Sequence, residues 1–165
     1  LYRAGIGQCA HGSMPSATRS ESGREPARHV LRWLAGDNSG LEPSLDGATP
    51  VAAFNLITLA MMAPTPLMPD LSGHVLMVEE VSEHLYSVDR IFFSLYGSLP
   101  RLAGLRLGDV SDVPENDPPF GRSPEDIARF WCARAGIPFL GRAEIGHTDA
   151  NKVVPFGLAS PSKPS

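Results

Sequence analysis

Apolar residues fall into two spacings along this chain, and the switches between them mark out its elements. In "REPARHVLRWLAG", Ala27, Val30, Leu31 and Leu34 recur at helical intervals and Gly36 supplies a stop, which predicts a helix near 24–35 with those four on one face. The turn-rich "DNSGLEPSLDGATP" leads to the short apolar run "VAAF" and then to "NLITLAMMA", a short helix that Asn55 can cap by accepting a free backbone N–H. Proline and glycine in "APTPLMPDLSG" end it, and "HVLMVE" reads as a buried strand. After Glu80 the period changes: Leu85, Val88, Phe92 and Leu95 share a helical face with Ile91 beside them, while Glu83, Ser87, Arg90 and Ser94 take polar positions.

"LAGLRLGDV" returns to a strand-like pattern, and the loop "ENDPPFGR" precedes the clearest helix start in the chain. Ser123 is the expected cap and Pro124 suits the first turn. Glu125 and Asp126 complement the positive helix end, and Asp126 completes a short capping box. Ile127, Phe130 and Trp131 are expected to face the core. The segment "GIPFLGRAEIGHTDANKVVPFG" alternates short apolar runs with turn residues, predicting two or three short strands, and residues 159–165 read as a loose tail. Strands alternating with helices predict an α/β domain.

Composition narrows the function. With 165 residues, 42% of them hydrophobic, the chain can bury a core within a single domain. A formal net charge of -4 provides no basic footprint for nucleic acid, and no apolar run approaches the length that crosses a bilayer as a helix. Expected partners are therefore small molecules or proteins, with neither nucleic acid nor membrane involved. Cys9 and Cys132 stand far apart without CxxC spacing, suggesting neither a zinc site nor a disulfide framework.

Three chemistries compete for the polar residues. A serine nucleophile on an exposed elbow has no G-x-S-x-G to carry it. A metal site could draw on Glu79, Glu80, Glu83, His84 and His147, but no HExxH or related spacing is present. The third option joins distant segments: Glu79 closes the run "HVLMV", and a carboxylate at a strand end can hold an imidazole in one tautomer while the other ring nitrogen takes a proton. His147 follows Gly146 in a turn from which its ring can reach a cleft. On composition alone, ordinary surface roles for both stay open beside catalysis.

"GHVLMVEEVSEHLYSVDR" resembles the C-terminal-domain signature of the LD-carboxypeptidases, serine peptidases that include the microcin-immunity peptidases. The matching residues are Glu79, Glu80, Glu83, Tyr86, Asp89 and Arg90, and "GLRLGDVSD" and "GIPFLGRAEIGHTDANKVVPFG" continue the likeness in order, so that it covers roughly 55–157. Asn55 and Leu56 match an Asn-Leu pair, although "VAAF" replaces the glycine-rich approach, and Asn55 stays outside the catalytic set.

The resemblance implies a three-layer β/β/α swivelling domain over 51–158, preceded by a segment, 1–50, that follows a nucleophile-bearing N-terminal domain absent from this chain. It implies a Ser-His-Glu triad with Glu79 as its acid and His147 as its base. The implied enzyme is cytoplasmic, commonly a homodimer and independent of cofactor or metal. It would release the terminal D-alanine of murein tetrapeptides during peptidoglycan recycling, and the chain alone would be inactive. A non-catalytic binding or regulatory module of the same fold, or a microcin-type conjugate hydrolase, is the alternative. Glu80 and Glu83 are expected as solvated or helix-start charges. Tyr86, Asp89 and Arg90 are expected in structural roles, with Asp149 and Asn151 shaping the His147 loop.

Overall fold

The structure, a computed structural model, describes residues 8–158, and the tail expected at 159–165 lies outside them. Four parallel strands form the central sheet in the order β2 (Val51–Asn55), β3 (Val75–Val81), β4 (Gly104–Ser111) and β5 (Phe139–Arg142). Between them run α2 (Leu56–Met62), α3 (Leu85–Leu95) and α4 (Pro124–Ala135). Because spatial order follows chain order and parallel crossovers are right-handed, all three helices fall on the same face of the sheet. β1 (Ala10–His11) pairs antiparallel with β6 (Val154–Pro155) in a separate ribbon, and α1 (Arg24–Leu34) lies between them in sequence.

Three layers follow from the alternation of side chains along the strands. On the helix side, Leu76 and Val78 of β3 and Leu105 and Leu107 of β4 pack with Leu56, Leu59, Phe92, Leu95, Ile127 and Trp131. Each large side chain buried fully here contributes about 1.5–3 kcal/mol. On the other face, Val51, Ala53 and Met77 pack with Ala143, Ile145 and Val154, so the β1–β6 ribbon forms the third layer. The β/β/α arrangement expected from the resemblance is present.

The helix starts match their sequence signals. Asn55 Oδ1 accepts from the Thr58 N–H at 3.1 Å, and Ser123 and Asp126 form a reciprocal capping box on α4. One buried face differs from expectation. Phe130 is 38% exposed, edge-on to Trp131 with the Arg122 guanidinium 4.8 Å from its ring centre, and Ala128 and Cys132 fill the core in its place. In α1 the four-residue apolar face is covered only in part. Leu31 and Leu34 are 63% and 69% exposed, whereas Pro26, Ala27 and His29 are buried. On the buried side, His29 Nδ1 lies 3.0 Å from the Asn151 carbonyl oxygen and ties the helix to the segment after His147.

Candidate active site

Adjacent side chains on a strand point to opposite faces, and this separates the glutamate pair at the carboxyl end of β3. Glu80 turns to the helix side and is buried. It accepts from Asn55 Nδ2 at 2.7 Å and from the Ile57 and Val81 N–H groups at 2.9 Å each, tying β3 to the start of α2. This corrects the expectation of a solvated charge: Glu80 does serve a helix start, but that of α2 and from within the core. Glu83 is half-buried in the turn before α3.

Glu79 turns to the ribbon side and is 2% exposed. Its Oε2 lies 2.9 Å from His147 Nδ1, a hydrogen bond spanning 68 residues of sequence. Since an ionised carboxylate only accepts, the His147 proton in this bond sits on Nδ1 and Nε2 is left open. The imidazole side chain is 56% exposed. A buried acid therefore orients a histidine whose reactive edge faces solvent. Burial pushes the Glu79 carboxyl upward, and the His11 and His147 imidazoles facing it more than offset this, leaving it below its ordinary value.

Close packing of the strands delivers His147. A Cβ on Gly108 of β4 would stand 2.6 Å from Ile145 Cγ1 and 3.0 Å from Glu79 Cβ, so glycine lets the 143–147 segment lie directly against Glu79. Gly146, at φ +139, presses on Asp109 in the same way and has a backbone that other residues rarely adopt. Behind the turn, buried Asn151 accepts the Gly146 N–H with its Oδ1 at 3.3 Å, in the loop-shaping role expected of it. Asp149 is exposed.

His11 and His29 were not singled out by their sequence context. His11, on β1, places Nε2 3.9 Å from Glu79 Oε1, facing it from beyond hydrogen-bond distance, and His29 supports the far side of the His147 loop through Asn151. Both come from the segment before residue 50, and no local motif connects them to a site formed mainly by later strands. They, Glu79 and His147 surround or back a cleft of about 800 Å³ also lined by Asn55 and Thr58.

The other candidates have structural contacts. Asp89 accepts from Trp131 Nε1 at 2.9 Å, joining α3 to α4, and the Arg90 guanidinium lies 4.8 Å from the Tyr86 ring centre. With Glu79 and Glu80 on opposite faces of the sheet, the five-residue metal cluster is not assembled. Among the described residues no group of three or more His, Cys, Asp or Glu is placed to hold a metal ion. No described helix is long and apolar enough to cross a membrane. Cys9 and Cys132 are both free, and burial pushes the Cys132 thiol up to about 11.

The chain is similar to several known proteins. The murein tetrapeptide carboxypeptidase of Pseudomonas aeruginosa is 28% identical over 151 residues, covering 88% of this chain and 45% of that protein. The crystal structure of muramoyltetrapeptide carboxypeptidase from Oxalobacter formigenes matches with a TM-score of 0.65 and 29% identity, over 80% of this chain and 48% of that one. The microcin C7 self immunity protein MccF shares the fold, with a TM-score of 0.57 at 22% identity over 71% of this chain and 33% of that one. The chain spans 33–45% of the length of the curated relatives it matches. Residues 50–160 match the LD-carboxypeptidase C-terminal domain, and the chain therefore belongs to the LD-carboxypeptidase family.

Proposed function

We propose that this chain supplies the acid and base of a serine-type LD-carboxypeptidase that removes the terminal D-alanine from murein tetrapeptides. The observation that carries this reading is the 2.9 Å bond from His147 Nδ1 to buried Glu79, with the ring's other edge exposed to the cleft. His147 Nε2 takes the proton of a serine hydroxyl as it attacks the scissile carbonyl, then gives that proton to the departing D-alanine amine. In the second half it deprotonates a water that hydrolyses the acyl-enzyme. Glu79 holds the ring in the Nδ1–H tautomer and stabilises the imidazolium that forms at each transfer.

This reading assigns the serine and the oxyanion donors to a part of the protein outside the present chain. The observation that supports that assignment is length: the chain spans 33–45% of the curated relatives it matches. The substrate is inferred from the relatives of similar sequence, whose names specify murein or muramoyl tetrapeptides.

The test is D-alanine release from a murein tetrapeptide by the full-length enzyme and its variants. Glu79→Gln and His147→Ala are each expected to lower kcat by roughly 10²–10⁴-fold, the range for a lost general base or its orienting acid. Near-normal turnover in either variant removes that residue from the mechanism. Clear turnover by the pure 165-residue chain overturns the external serine.

A further inference from the structure

Glu79 has two carboxylate oxygens, and the base accounts for only one of them. Oε2 receives the His147 proton, while Oε1 is faced by His11 Nε2 at 3.9 Å. His11 is held by the β1–β6 ribbon, where it pairs with Val154 across the sheet layer that covers Glu79. Its side chain is 20% exposed, and its Nδ1 is buried with no hydrogen-bond partner in the structure. A proton on Nδ1 would therefore be buried without an acceptor, whereas a proton on Nε2 points at a carboxylate.

We propose that His11 is a positioning residue for the acid–base pair: its Nε2–H faces Glu79 Oε1, and this attraction keeps Oε2 turned toward His147. The inference rests on the reading of Glu79 and His147 as that pair. A carboxylate with 2% exposure is stabilised as an anion when a polar N–H faces each oxygen, and His147 is more than half exposed and must exchange its proton during turnover. Among the described residues, the titratable groups within 4 Å of the Glu79 carboxylate are His147, from the loop after β5, and His11, from β1. His11 is the more buried of the two, and it supplies the attraction that persists when the base moves.

The experiment uses the 165-residue chain and needs no turnover, so a failure of the proposed activity leaves it intact. Two variants of similar size separate a donor from a filler. His11→Gln puts its amide nitrogen near the former Nε2, and His11→Asn reaches only as far as the former Nδ1. Carboxyl carbon NMR follows the titration of Glu79, and imidazole nitrogen shifts follow the tautomer of His147. The expected result is that Gln keeps the wild-type Glu79 titration and the single Nδ1–H tautomer. Asn is expected to raise the Glu79 midpoint by about half a pH unit and mix the tautomers. If the two variants behave alike, whether both keep or both lose the wild-type signals, His11 only fills space and the proposal fails. In full-length enzyme the same pair should differ in kcat with KM unchanged.

Discussion

Replacing Gly108 with alanine tests whether the site depends on how closely the 143–147 segment packs on the sheet. The added Cβ would meet Ile145 Cγ1 at 2.6 Å, the Ile145 carbonyl oxygen at 2.8 Å and Glu79 Cβ at 3.0 Å. Ordinary carbon–carbon contact is about 3.5–4.0 Å, so these groups must retreat by roughly 0.5–1 Å. The side chain can rotate aside, but the carbonyl accepts the Asp109 N–H at 2.8 Å and cannot move without loosening that bond. Overpacking of this kind costs about 1–3 kcal/mol, and a loss of about 2 kcal/mol lowers the melting temperature of a chain this size by about 4–8 °C. Ile145 lies two residues before His147, so the same shift should also misplace the imidazole, and a displacement near 1 Å can cost roughly 100-fold in turnover of the full-length enzyme.

The assay is urea unfolding followed by circular dichroism, with Gly97→Ala as the control, since a Cβ there meets nothing within 4 Å. Gly108→Ala is expected to shift the midpoint downward at unchanged slope, and Gly97→Ala to leave it in place. Equal midpoints in the two variants, within about 0.5 kcal/mol, would show that Ile145 does not press on β4 and would refute the packing argument.

Two further outcomes follow from the carboxylates of β3. The folded-state Glu79 carboxyl titrates below its ordinary 4.5, so its contribution to stability is complete above that pH and is lost as pH falls through the lower folded value. Urea midpoints measured from pH 6 downward should therefore fall more steeply in wild type than in Glu79→Gln, and parallel curves would contradict the shift. Glu80→Ala leaves the Asn55 amide and the Ile57 and Val81 N–H groups without their acceptor and is expected to cost about 2–4 kcal/mol by the same unfolding assay. A loss under about 0.5 kcal/mol would show that water replaces the carboxylate freely.

The central elements were legible because each carried a local signal. Asn55 and Ser123 stand at real caps, the change of period after Glu80 marks where β3 gives way to α3, and four of the five apolar residues assigned to the α3 face are fully buried. Periodicity states which residues share a face but not what that face meets. That is why Leu31 and Leu34 share a helical spacing although α1 buries Pro26, Ala27 and His29, and why Phe130 was placed in the core when two arginines and Trp131 accommodate it at the surface. Glu80 was misread for a related reason: three nearby carboxylates look solvated until strand alternation sends one inward to donors 23 and 25 residues earlier. Context offered Glu79 and His147 as one carboxylate–imidazole option among three and the family resemblance singled them out, whereas His11 makes its contact through a two-residue ribbon that leaves no local pattern.

That ribbon also imposes an order on synthesis. β1 is among the first described segments to leave the ribosome, and its partner β6 is among the last, so His11 cannot take its place over Glu79 until nearly all of the described chain has emerged. The parallel sheet can form progressively through neighbouring crossovers, each closing a modest loop, whereas the ribbon closes the longest loop in the fold. A nascent chain halted before Val154 would hold Glu79 at the end of a formed strand, with the third layer still open above it.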